Sequence, residues 1–95
     1  MTKAIWNNTV IAESDQVKFF DGNYYFPADS KNAEYFKESS THTKCFWKGT
    51  ASYYDIVVGN EIIKDAAWYY PDPQTPAHEI KNYIAFWKGV RIEKD

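Results

Sequence analysis

The chain has 95 residues, of which 44% are hydrophobic and 19% aromatic, and a formal net charge of -2. That length predicts one domain, residues 1–95, with a single core, and the apolar content is ample for globular folding. A slightly acidic chain has no field to gather phosphate backbones or anionic lipid, so neither nucleic acid nor a membrane is expected as a partner.

The first quarter reads as two hairpins. Lys3 to Trp6 and Thr9 to Glu13 flank Asn7-Asn8, a pair that tolerates the positive φ of a tight turn, and Val17 to Phe20 meets Tyr24 to Phe26 across Asp21-Gly22. Asp29 or Ser30 then predicts a helix cap, with a short helix through about Ser39 whose inward side carries Ala33 and Phe36. From Lys48 to Val58 the sequence is β-branched and aromatic, and Gly59-Asn60 turns it back into Glu61 to Lys64. Ala67 to Tyr70 is a further strand, ended by Pro71. Thr75 followed by Pro76 predicts the start of a second short helix, which ends near Asn82 and has Ala77, Ile80 and Ile84 on one side. Ile84 to Trp87 and Val90 to Glu93 close the chain as a third hairpin through Lys88-Gly89. Short strands with such brief connections predict a mainly β fold of antiparallel hairpins with one or two short helices.

One cysteine leaves Cys45 without a disulfide partner and excludes a multi-cysteine zinc site. With no apolar run of signal-peptide or membrane-spanning length, the expectation is a cytoplasmic protein with no metal and no other cofactor. His42 and Cys45 have the residue types of a base and a nucleophile. On a strand, side chains three apart point to opposite faces, so that pair meets only across a turn. The other reading of Cys45 is a small core hydrophobe. Lys48-Gly49-Thr50 lacks the glycine-rich stretch of a phosphate loop, but Gly49 permits a close backbone approach and Lys48 beside Trp47 can offer a cation.

Pro71-Asp72-Pro73 holds a carboxylate in a stiff loop next to Trp68, Tyr69 and Tyr70. Tyr70-Pro71 is also a position where a cis bond is admissible. Asp72 can bind a ligand, act as a base if desolvated, or simply bond its own turn. Trp47, Trp68 and Trp87 serve either as core filling or as a partial aromatic cage. Tyr53 and Tyr54 are adjacent on a strand, as are Tyr69 and Tyr70, so each pair puts one ring on each face. That surplus of rings predicts a binding surface.

Four blocks carry a resemblance: Gly22-Asn-Tyr-Tyr-Phe-Pro27, Cys45-Phe-Trp-Lys-Gly-Thr-Ala-Ser-Tyr-Tyr54, Ala67-Trp-Tyr-Tyr-Pro-Asp-Pro73 and Ile84-Ala-Phe-Trp87. In this order and spacing they resemble the bacterial family called domain of unknown function 427, in its short single-domain form. The resemblance implies a small β-rich fold of the Mss4-like or β-tent type. It transfers no catalytic residues, only motif positions, among them Cys45, Lys48, Gly49, Tyr53, Trp68, Tyr70 and Phe86. This chain has Phe46 where many relatives have proline and Tyr24 where many have histidine, and the second of these departures favours binding over acid-base catalysis.

The leading expectation is a domain that binds a small ligand or a peptide segment in an aromatic-lined cleft. Trp47, Tyr53, Trp68 and Tyr70 would form its walls, Gly49 would allow close approach, and Lys48 and Asp72 would be its polar ends. The first alternative is a small hydrolase or transferase with Cys45 as nucleophile, assisted by Lys48 and by Tyr53 or Asp72. The second is a structural or protein-interaction module.

Overall fold

A computed structural model describes residues 1–95. The chain is mainly antiparallel β, with nine strands and three short 3-10 turns. The two early hairpins form where expected. β1 (Thr2–Trp6) pairs β2 (Thr9–Ser14) around Asn7-Asn8, and β3 (Lys18–Phe20) pairs β4 (Asn23–Tyr25) around Asp21-Gly22. Asn7, Asn8, Asp21 and Gly22 all have positive φ, the geometry that makes these pairs favoured hairpin turns.

The helix expected through Ser39 does not form. Two 3-10 turns, Ala28–Ser30 and Ala33–Tyr35, lead directly into β5 (Phe36–Cys45), which pairs β6 (Gly49–Val58). A thin apolar face gave a helix little to bury. Ser39, Thr41 and Thr43 favour extended backbone, and the hydroxyls of Ser39 and Thr41 find partners there by donating to the Asp65 carboxylate. The two strands expected after Gly59-Asn60 are one, β7 (Glu61–Tyr69). What interrupts its pattern is a bulge at Asp65, whose φ is 56° and whose N–H donates to the buried Asp55 carboxylate at 2.8 Å.

The expected terminal hairpin is corrected by the structure. Lys88 and Gly89 do turn the chain, with φ of 55° and 94°, but β8 (Ile84–Phe86) pairs β7, and β9 (Arg91–Glu93) pairs β1. Backbone hydrogen bonds explain the separation. One edge of β8 is taken by β7; along the other, Ile84 exchanges two bonds with Phe26, of 2.7 and 2.8 Å, leaving no ladder there for β9. The turn therefore carries the chain from one sheet to another.

The second expected helix is a 3-10 segment, Thr75–Ile80, with Gln74 rather than Thr75 at its N-cap and Ala77 and Ile80 buried. Ile84 belongs to β8 instead. All peptide bonds are trans, Tyr70-Pro71 included. No helix is long and apolar enough to cross a membrane.

The sheets are ordered β2-β1-β9, β3-β4 and β5-β6-β7-β8. Strand alternation divides the rings as the paired tyrosines predict. Tyr54 and Tyr69 pack on a cluster that joins Ala4 and Ile11 of the three-stranded sheet to Ile56 and Phe86 of the four-stranded one. Tyr53, Trp68 and Tyr70 belong to a second cluster with Tyr25, Ala77 and Ile80.

Candidate functional site

The second cluster does not fill its space. An open cleft of about 170 Å³ lies on this face of the four-stranded sheet, lined by Lys48, Tyr53, Trp68, Tyr70 and Trp87. Its walls stand on strands or on residues directly adjoining them. Tyr53 of β6 sits directly across from Trp68 of β7, which sits across from Ala85 of β8. Trp87 follows β8, and its indole meets that of Trp68 edge to face at 5.9 Å. Tyr70 directly follows β7, in an isolated bridge with Lys81, and is only 5% exposed.

Most of the polar atoms on these rings are already engaged. The Trp68 indole N–H donates to the Tyr25 hydroxyl at 3.3 Å, and that of Trp87 donates to the main-chain oxygen of Asp65 at 2.6 Å. The hydroxyls of Tyr53 and Thr43 share a hydrogen bond of 2.8 Å. The walls are thus pinned as well as packed, and the bulge at Asp65 is what brings a carbonyl under the Trp87 indole.

Lys48 enters from the β5–β6 connection. Its ammonium donates to the Asp21 carboxylate at 2.5 Å and lies 5.1 Å from the centre of the Trp47 ring and 5.9 Å from that of Tyr70. Burial works against the charge, but Asp21 and the neighbouring phenols outweigh it and hold the Lys48 pKa above the ordinary lysine value. Burial likewise pushes the Tyr70 phenol up, against the opposing influence of Lys48.

Of the residues singled out in the sequence, the structure brings Lys48, Tyr53, Trp68 and Tyr70 together around one cleft. Trp47 stands behind Lys48, 6.0 Å from Phe20, and does not line the space. Gly49 has a φ of 115°, and a Cβ there would come within 3.3 Å of the Asp72 oxygen and of the Pro73 Cα. The close approach that this glycine permits is to the chain's own Pro71-Asp72-Pro73 loop, which is tied down by a hydrogen bond from the Gln74 N–H to the Lys48 oxygen. Asp72 itself is exposed and outside the cleft.

The carboxylate that Lys48 does meet, Asp21, was legible only as a turn residue. It lies 27 positions away in sequence, and no local pattern links the two. Trp87 carried a signal, its place in an aromatic block, but nothing separated it from core tryptophans.

Cys45 ends β5 beside the site without lining it. The backbone N–H groups of Trp47 and then Lys48 favour its thiolate and lower its pKa below the usual thiol value. The ring Nδ1 of His42 is instead 3.2 Å from the Ser52 hydroxyl, so the imidazole serves β6 and not the thiol. No group of three or more His, Cys, Asp or Glu side chains is placed to hold a metal ion.

Among proteins of known families, the match is to a family described as a domain of unknown function, DUF427, whose model covers residues 1–95. No curated protein matches the chain. With the match running from the first residue of the sequence to the last, the chain belongs to the DUF427 family.

Proposed function

We propose that this domain is a binding module that takes a small ligand, or one flat side chain of a peptide, into the cleft between Lys48 and Trp87. The observation that carries this reading is the convergence of four aromatic rings and one ammonium on a space of about 170 Å³. A cavity of roughly 150 Å³ accepts a single benzene ring, so this one suits a ring with a small substituent. Rings pinned by their own hydrogen bonds lose little entropy when a guest arrives, which favours binding over collapse of the cleft. A cytoplasmic setting is part of the reading, supported by a lone thiol with no disulfide partner.

The test is a set of single-ring compounds screened by saturation-transfer NMR against the native protein, Trp68→Ala and Trp87→Ala. Trp87 is 48% exposed, so its loss leaves the fold standing even if Trp68→Ala does not. Both variants should weaken binding about tenfold or more, the usual cost of truncating a central aromatic. Equal affinity in a folded Trp87→Ala protein, with the same compounds bound, refutes the reading.

A second reading, covalent chemistry at Cys45, rests on the thiolate-favouring N–H groups of Trp47 and Lys48. It requires Cys45 to alkylate faster than a free thiol at neutral pH under native conditions, and a slower rate removes its support.

A further inference from the structure

Among the lining side chains, one polar atom has no partner. The Trp68 and Trp87 indole N–H groups and the Tyr53 hydroxyl are all hydrogen-bonded within the chain. The Tyr70 hydroxyl makes no such bond, although Tyr70 is only 5% exposed. No fully enclosed side-chain oxygen or nitrogen lacks a partner, so this hydroxyl reaches solvent, and Tyr70 lines the cleft. In the empty cleft water can satisfy this hydroxyl, so a guest that displaces the water must offer an acceptor of its own or forfeit that bond. With its pKa raised by burial, the hydroxyl remains protonated at neutral pH and can donate.

Lys48 lines the same cleft and supplies a second donor. One of its three N–H bonds goes to Asp21, and its ammonium lies 5.9 Å from the centre of the Tyr70 ring. Two donors and four flat rings around one cleft select a guest with an acceptor oxygen attached to a ring. The charge of that oxygen is set by Asp21. Its carboxylate already neutralises Lys48, and a second carboxylate brought to the same ammonium would face it at close range.

Resting on the reading of the cleft as a binding site, we infer that its ligand class is a planar ring carrying an uncharged carbonyl, such as an aromatic amide, with the carbonyl oxygen held by the Tyr70 hydroxyl and the Lys48 ammonium. An aromatic carboxylate is disfavoured by Asp21. A bare hydrocarbon ring fits the walls but leaves the hydroxyl unsatisfied.

Three probes of similar size separate these guests: benzamide, benzoate and toluene, each titrated into isotope-labelled protein and followed by amide and indole NMR shifts. The native protein should bind benzamide more tightly than either of the others. Tyr70→Phe removes one oxygen and should weaken benzamide about 3- to 10-fold, the worth of one hydrogen bond, while leaving toluene unchanged. Asp21→Asn, a change that keeps a residue tolerant of the turn's positive φ, should raise benzoate affinity at least as much. If benzamide binds no better than toluene, or Tyr70→Phe leaves it unaltered, the carbonyl assignment falls while the cleft remains a binding site. If benzoate outcompetes benzamide in the native protein, the uncharged class is wrong. If none of the three moves the Trp68 or Trp87 indole signals, the binding reading fails with it.

Discussion

The two faces of the four-stranded sheet are built from the same strands and the same kinds of residue, yet one is closed and the other is not. On the closed face, Tyr54 stacks on Tyr69 at 4.8 Å, and Phe36, Phe26 and Phe86 interlock edge to face. The cluster continues into Ala4, Ile11 and Ala12 of a second sheet. On the open face, the cover is a three-residue-stranded hairpin and a 3-10 segment, which contribute Tyr25, Ala77 and Ile80 over one part of the surface. Trp68, Tyr53 and Trp87 beyond it stay partly exposed. A sheet covers a sheet fully, whereas a short turn covers only the area beneath it, and the cleft is the remainder. Ring content therefore did not decide where the cleft lies; the size of the covering element did.

This difference is broken most forcefully by truncating one ring on each face. Phe26 is fully buried at the junction of β4 and β8, so Phe26→Ala should destabilise the fold by about 3–5 kcal/mol in urea denaturation. Trp87→Ala, on the open face, should cost less, about 2 kcal/mol, because half of its surface is already in water. Similar losses at both positions would mean that the open face is a packed core after all.

How much of this was legible in the sequence depended on the range of the interaction. The hairpin turns at Asn7-Asn8 and Asp21-Gly22 depend on adjacent residues and could be read directly. So could the division of Tyr53 from Tyr54 and of Trp68 and Tyr70 from Tyr69, since alternation is a local property of strands. Tyr53, Trp68 and Tyr70 could be assigned to one face for that reason, whereas Lys48 lies in the β5–β6 connection and was marked only by its neighbours Trp47 and Gly49. The strand at Phe36–Cys45 was not, because its polar side chains show no alternation and two of its hydroxyls serve Asp65, on a strand beyond its neighbour. The partners of β8 and β9 were not legible either: their separation follows from the bonds between Phe26 and Ile84, 58 residues apart in sequence by their numbering. Asp72 and Asp21 show the same limit at the site. Both are turn aspartates near rings, and only the tertiary fold puts Asp21 on the ammonium.

Gly49 tests the comparison at a single backbone position, because it seats the loop that follows Tyr70 at the edge of the open face. Gly49→Ala would strain a φ of 115° and press a methyl group against the Asp72 oxygen and the Pro73 Cα. The expected cost is about 1–3 kcal/mol, below that of Phe26→Ala. Proteolysis within residues 71–75 should also become faster as the loop loosens. An unchanged denaturation midpoint would mean that this loop does not depend on the close approach.

The smallest effect belongs to the closed face and appears at high pH. Burial, reinforced by Tyr54 and Glu38, pushes the Tyr69 phenol from the ordinary 10.0 up to about 12. A raised phenol pKa means that the folded chain holds its proton more tightly than the unfolded chain. Its contribution to stability is therefore fully present below pH 10 and is lost as pH rises from about 10 to 12. Because Tyr69 is partly exposed, solvent screening keeps this contribution smaller than the losses at Phe26 and Gly49. Tyr69→Phe should flatten the alkaline fall in stability and delete the latest step in an ultraviolet phenolate titration, with the cleft and its ligands unaffected. A Tyr69→Phe protein that loses benzamide binding would show that the two faces are coupled through β7, and the separation drawn between them would have to be abandoned.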